Sequence, residues 1–63
     1  MRDFVEEESL RLERELCRLR ERLDNLVYEC EALGDSSLNN YAEEANDCLR
    51  GCIDALRRLY REA

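Results

Sequence analysis

The chain has 63 residues, of which 41% are charged, and a net charge of −6 at pH 7. Such a chain forms one small domain at most, and domains of this size usually need disulfides, a metal ion or oligomerisation to be stable. No apolar run approaches the roughly 20 residues of a membrane span. The acidic beginning lacks the order of a signal peptide, in which basic residues precede an apolar stretch. We therefore expect a soluble, cytoplasmic protein.

Two runs of apolar residues repeat in alternating steps of four and three, the period of a coiled-coil seam. The first run is Leu12, Leu16, Leu19, Leu23, Leu26, Cys30 and Leu33, and the second is Leu38, Ala42, Ala45, Leu49, Cys52, Leu56, Leu59 and Ala63. This spacing predicts helix one over about residues 4–33 and helix two over about residues 38–62. Asp3 and Glu6 have the spacing of a capping box at the start of helix one.

The residues between the two runs predict a tight bend over residues 34–37. Gly34 suits the left-handed conformation just past a helix end. Ser36 or Ser37 is expected to cap helix two by accepting a bond from an early backbone N–H. Because the connection is short, the helices should be antiparallel neighbours. The fold class predicted is all-α: a single antiparallel two-helix hairpin with heptad seams.

Paired positions in such a hairpin have residue numbers that add up to about 71. Leu26 then lies level with Ala45, and Leu19 lies level with Cys52. Large side chains of helix one thus face small ones of helix two, which permits close packing.

Helix two carries more apolar residues than one seam requires. Charged residues flank the seam of helix one, whereas Tyr41, Cys48, Ala55, Ile53 and Tyr60 flank that of helix two. These side chains either cover the seam edges or contact further helices. We expect the second arrangement, a two-fold homodimer in which two hairpins form a four-helix bundle. The predicted dimer or partner interface is Tyr41, Cys48, Cys52, Ile53, Ala55 and Tyr60.

The four cysteines are expected to be free thiols in a reducing compartment. Cys30 and Cys52 would lie roughly 16 Å apart along the hairpin, which is too far for a disulfide. Cys17 points away from the seam. Cys48 and Cys52 share a helix face, so two such pairs could bind a metal or form an intermolecular disulfide. Plain packing is favoured, and we expect no cofactor and no metal site.

Charge is distributed unevenly along the chain. Residues 24–47 contain seven acids and no basic residue, whereas residues 9–23 and 48–63 each have a net charge of +2. This predicts an acidic tip at the bend, formed by Asp24, Glu29, Glu31, Asp35, Glu43, Glu44 and Asp47. The tip could serve solubility and charge matching in an antiparallel dimer, or it could dock on a basic surface of a larger protein.

A stripe of arginines on helix one is formed by Arg11, Arg14, Arg18 and Arg22. Nucleic-acid-binding helices have such stripes. Here, however, glutamates lie three and four residues from these arginines, which favours an ion-paired, solvated face. Nucleic acid is therefore an unfavoured partner.

The layout resembles that of the Rop family of plasmid copy-number proteins. The features shared are two heptad helices, a tight bend and a cysteine in the seam of helix two. Members of that family dimerise into a four-helix bundle and bind paired RNA loops. The resemblance implies a dimer here, whereas the later bend, the acidic net charge and the interrupted arginine stripe depart from the family and leave RNA binding as an alternative.

The chain contains no histidine, no Gly-rich phosphate loop and no paired carboxylates in a tuned environment, so we do not expect an enzyme. The leading hypothesis is a protein-interaction module: a small acidic homodimeric regulator or inhibitor that docks on a larger basic protein. Its size and charge suit a phage or mobile-element protein. The alternatives are a Rop-like RNA-binding bundle and a structural subunit of a larger helical assembly.

Overall fold

Two helices, joined by a short bend, account for the fold. The computed structural model describes residues 2–63, with α1 over Arg2–Leu33 and α2 over Ser36–Glu62. The helices lie side by side in a rod of 48 × 15 × 12 Å. The all-α hairpin predicted from the two heptad runs is thus confirmed. Neither helix has a stretch, within residues 2–63, that is both long and apolar enough to cross a membrane.

The bend is built by one glycine and one aspartate. Gly34 has a φ of +73°, where a side chain would be strained, and its N–H donates to the Glu31 carbonyl at 3.1 Å. The Asp35 carboxylate accepts from the N–H groups of Ser37 and Leu38 at 2.9 and 3.2 Å. Asp35 is therefore the N-cap of α2, rather than Ser36 or Ser37, because its carboxylate reaches two free N–H groups at once.

The beginning of α1 also differs from the prediction. The helix already includes Arg2, so Asp3 lies in its first turn and is not a cap ahead of it. In that place the Asp3 carboxylate still faces the positive end of the helix dipole, which is the favourable end for an acid.

The register of the hairpin is fixed by two hydrogen bonds between the helices. Arg57 bonds to Glu13, and Asn46 bonds to Asp24. In both pairs the residue numbers add up to 70. The levels expected from a tight bend are therefore correct to within one residue.

The seam between the helices is rotated relative to the predicted one. On α1 the side chains with reduced exposure include Val5, Ser9, Glu13, Leu16, Arg20, Leu23, Val27 and Cys30. On α2 they include Asn39, Ala42, Asn46, Leu49, Ile53, Leu56 and Tyr60, and Ala63 follows at the C-cap. Only half of each predicted heptad run belongs to this seam. The other half is exposed, because each helix touches the other along one of its two heptad lines and along the more polar line next to it.

Ile53 and Tyr60 are two residues that the heptad pattern places outside the intrachain seam, and the structure corrects this. Ile53 is the most deeply buried side chain, at 1% exposure. Tyr60, two turns further along the helix, is half-buried. Both side chains lie on the line of α2 that turns toward α1, so they stabilise the hairpin itself.

Candidate protein-binding face

One side of the hairpin presents a mostly apolar surface, which we call the apolar face. It consists of Leu12, Leu19, Leu26 and Leu33 of α1 and of Leu38, Ala45, Cys52 and Leu59 of α2. Within each helix these residues recur every seven positions, so they form a line along the helix. The six leucines are between 40% and 71% exposed.

A groove runs along the middle of the apolar face. It has a volume of about 760 Å³ and is lined by Leu19, Arg22, Leu23, Leu26, Ala45, Cys48, Leu49 and Cys52. The leucines of α1 form one wall, and the small Ala45 and Cys52 leave the other wall low. Arg22 is the one charged residue of this lining. The groove is thus concave and mostly apolar, as ridges from another helix require.

The outer edge of α2 extends the apolar surface beyond the groove. This edge, Tyr41, Cys48 and Ala55, is exposed, and it lies next to the line that contains Ala45 and Cys52. The corresponding edge of α1 carries Glu8, Glu15, Arg22 and Glu29. The two edges of the apolar face therefore differ: one is apolar and the other is charged.

The opposite side of the hairpin is closed by polar contacts. Arg57 Nε donates to Glu13 Oε1 at 2.8 Å, and Asn46 Nδ2 donates to Asp24 Oδ1 at 2.8 Å. The hydrogen bond to the Glu13 carboxylate raises the pKa of Arg57 above its usual value. The Oδ1 atoms of Asn39 and Asn46 are buried without a hydrogen-bond partner, so the polar contacts of the seam are only partly complete. Exposed leucines at regular spacing, by contrast, are typical of an interface.

The cysteines are free and occupy different environments. Cys48 and Cys52 are exposed on or beside the apolar face, whereas Cys17 and Cys30 are half-buried. The Cys17 thiol lies toward the polar side, where it donates a weak 4.0 Å bond to Glu13. Among residues 2–63, no three side chains of the types that bind metals lie close enough together to hold an ion.

The seven acids of the predicted tip lie at the bend end and are all exposed, but they are not one cluster. Asp35 caps α2 and Asp24 accepts from Asn46, so these two have structural contacts. Glu43, Glu44 and Asp47 lie along the outer surface of α2. None of the seven forms an ion pair with an arginine of residues 2–63. The tip is therefore an acidic surface without internal neutralisation.

The arginine stripe is interleaved with acids, as the spacing indicates. Arg11, Arg14 and Arg18 line a shallow depression together with Glu7, Leu10 and Glu15. Arg11 also pairs with Glu8 at 3.3 Å. Arg22 lines the apolar groove. Within residues 2–63, Arg11 is the one arginine of the stripe that forms an ion pair, and all four are exposed.

Four of the six predicted interface residues are exposed on the side that the apolar face occupies: Tyr41, Cys48, Cys52 and Ala55. The prediction omitted the exposed leucines, which it assigned to the seam. The signal that points to them is the third apolar line of helix two, because one neighbouring helix covers two heptad lines but not three.

No protein-family model, curated protein or solved structure matches the chain.

Proposed function

We propose that this chain is a non-enzymatic protein-interaction module whose first partner is a second copy of itself. The apolar faces of two hairpins would pack against each other and form a four-helix bundle. The observation that supports this most directly is the row of six exposed leucines, which follows the heptad lines along both helices. In a four-helix bundle, a row of this kind lies on the inner side and packs against the other pair of helices.

The energetics are compatible with this assignment. Burying the remaining half of a leucine contributes about 1 kcal/mol, since full burial contributes about 1.5–3 kcal/mol. Twelve leucines would be buried together in the dimer. Their summed contribution is comparable with the roughly 4–15 kcal/mol that association costs in lost translational and rotational freedom. A hairpin of this size also has little other core, because Ala42 and Ile53 are its fully buried apolar residues among residues 2–63.

A second copy suits the face better than an unrelated helix. Two-fold association makes a surface complementary to itself, so that both exposed faces are covered in one step and the assembly closes. Both helices contribute a full-length line to the face, and another hairpin offers two lines of the same length. A larger helical assembly that takes this hairpin as a structural subunit would use the same face.

The acidic tip gives the dimer a second surface, for which we propose a larger partner with a basic surface. Seven exposed acids without neutralising arginines produce a negative field that steers and selects a positively charged partner. Such a dimer would act as a small regulator or inhibitor, of the kind that phages and mobile elements encode. The apolar face and the acidic tip thus have separate roles, assembly and docking.

Two substitutions on α1 test the assembly step. Leu19→Glu places a charge in the groove, whereas Asn25→Glu adds the same charge at an exposed position outside the apolar face. Light scattering should find the wild type and Asn25→Glu as dimers and Leu19→Glu as a monomer. The proposal is wrong if Leu19→Glu has the same mass as the wild type.

A further inference from the structure

We infer that the two copies pack with their bends at opposite ends, so that α2 lies against α2 of the second copy and the two-fold axis passes beside Cys48. This inference rests on the proposed homodimer and adds its orientation. It is carried by the distribution of charge, by the difference between the two edges of the apolar face, and by the levels of the side chains along the rod.

Two closed arrangements bring the apolar faces together. A two-fold axis parallel to the helices leaves both bends at one end and places α1 against α2 of the second copy. A two-fold axis perpendicular to the helices puts the bends at opposite ends and places each helix against its own counterpart. Both arrangements bury the same leucines, so other features must distinguish them.

Charge favours the bends at opposite ends. Residues 24–47, around the bend, have a net charge of −7, whereas the remainder of the chain has a net charge of +1. Bends at the same end would bring two strongly negative regions together. Bends at opposite ends place each negative region beside the nearly neutral, arginine-containing half of the second copy. Like charges brought together in an interface are unfavourable, which makes the second arrangement the stable one.

The edges of the apolar face favour the same arrangement. Bends at opposite ends join the edge Tyr41, Cys48 and Ala55 to the same edge of the second copy. The charged edge of α1 then meets its counterpart, with Glu15 level with Glu29 of the second copy. These like charges lie at the rim, where water and salt screen them. Bends at the same end would instead press the apolar edge against Glu15, Arg22 and Glu29. Interface cores are depleted of charged residues, so apolar edges belong together.

The levels along the rod place Cys48 at the axis. The apolar face has four layers: Leu33 with Leu38, Leu26 with Ala45, Leu19 with Cys52, and Leu12 with Leu59. The middle lies between the second and third layers, which is the level of Cys48. Each of these two layers pairs a leucine with a small residue. The two-fold axis places the second layer of one copy against the third layer of the other. Tyr41 likewise lies level with Ala55 of the second copy, so large side chains meet small ones.

The two α2 helices are neighbours in this arrangement, so the two Cys48 Cα atoms come within the roughly 7 Å that a disulfide spans. The two Cys52 residues lie on opposite sides of the axis, about seven residues apart, and thus are separated by roughly 10 Å along the helices. If both bends were at one end, the α2 helices would lie diagonally across the bundle, and neither pair of thiols could meet.

Cross-linking of single-cysteine variants tests the orientation. One variant keeps Cys48 and carries Cys17→Ser, Cys30→Ala and Cys52→Ala; the matched control keeps Cys52 and carries Cys48→Ala instead. Diamide oxidises the protein: two thiols form one disulfide, and their two protons and two electrons reduce diamide to its hydrazine. We expect the Cys48 variant to cross-link at least tenfold faster than the Cys52 control on a non-reducing gel. Equal rates, or a faster Cys52 variant, would overturn the orientation.

Sedimentation of the same samples separates this inference from the proposed function. A dimer without rapid Cys48 cross-linking refutes the orientation alone, whereas a monomer of both the wild type and the variants refutes the homodimer as well. If the substitutions themselves weaken the dimer, the disulfide that forms in the oxidised wild type distinguishes the two orientations. Digestion with trypsin and a glutamate-specific protease places Cys30, Cys48 and Cys52 in separate peptides, because Glu43 lies between the first two and Arg50 between the last two. Mass spectrometry then identifies a Cys48–Cys48 disulfide or shows that another pair has formed.

Discussion

Arg57 Nε donates a hydrogen bond of 2.8 Å to Glu13 Oε1, and this contact joins the C-terminal part of α2 to the N-terminal part of α1. The Glu13 side chain is only 12% exposed, whereas Arg57 remains in contact with water. The pair lies on the side of the hairpin opposite the apolar face. It therefore distinguishes the two sides: this one is closed by contacts within the chain, and the other leaves its leucines exposed.

Removal of Arg57 should destabilise the protein more than removal of the whole pair. In Arg57→Leu the Glu13 carboxylate stays in the seam without its donor, whereas the double variant Glu13→Leu/Arg57→Leu leaves no unpaired charge there. Thermal denaturation followed by circular dichroism should give the lower melting temperature for the single variant. A double variant that melts below the single one would show that Glu13 stabilises the seam even without Arg57, and that its unpaired carboxylate carries no large penalty.

Ile53 should be the apolar residue to which stability is most sensitive. Ile53→Ala removes a side chain that is 1% exposed and should lower the free energy of unfolding by about 2–5 kcal/mol. Phe4 is 65% exposed, and Phe4→Ala should change that free energy by less than about 0.5 kcal/mol. Urea denaturation measures both. Equal effects of the two substitutions would contradict the seam described here and favour one in which Ile53 faces outward.

Asp35, and not the serines that follow it, should control the start of α2. Asp35→Ala removes the acceptor for two backbone N–H groups and should cost about 1 kcal/mol in the free energy of unfolding. Ser36→Ala, one residue further along, leaves that acceptor in place and should have the smaller effect. Urea denaturation of the two variants checks this. A larger loss of unfolding free energy for Ser36→Ala would show that the serine, and not Asp35, caps α2.

The acidic tip should determine which larger protein the dimer binds. Reversal of three of its acids, Glu43→Arg, Glu44→Arg and Asp47→Arg, should lower recovery of a basic partner at least tenfold, because the field that attracts it changes sign locally. Quantitative mass spectrometry compares the proteins that the wild type and this variant each retain from an extract of the source cells.

The matched control for the tip reverses three acids in the first two turns of α1, outside residues 24–47: Glu6→Arg, Glu7→Arg and Glu8→Arg. This variant has the same net charge as the first and should retain the partner. Loss of the partner in both variants would show that overall charge matters and that the tip has no special role. Retention in both would place the docking surface elsewhere.

The helices and the bend could be predicted from the sequence because their signals are local. Steps of four and three residues specify a helix with an apolar stripe, and a glycine next to short polar residues specifies a turn. The antiparallel arrangement follows from the short connection. These features do not depend on what surrounds the hairpin, so the structure has them close to where the pattern indicates.

The rotation of the helices could not be predicted in the same way. A heptad pattern shows that two lines are apolar but does not show which line faces the neighbouring helix and which faces a further one. Leu19 and Ile53 exchange their expected roles for this reason: Leu19 is exposed and Ile53 is buried. The bonds of Glu13 and Asn46 across the polar side depend on contacts between distant residues, which periodicity does not encode.

The mass of the wild-type protein in solution tests the homodimer most directly. Sedimentation equilibrium over a range of micromolar concentrations should give twice the 7.5 kDa mass of the chain, and the melting temperature should rise with concentration because dissociation accompanies unfolding. A mass of 7.5 kDa at every concentration, together with a cooperative melt that does not depend on concentration, would contradict it: the exposed leucines would then belong to a stable monomer.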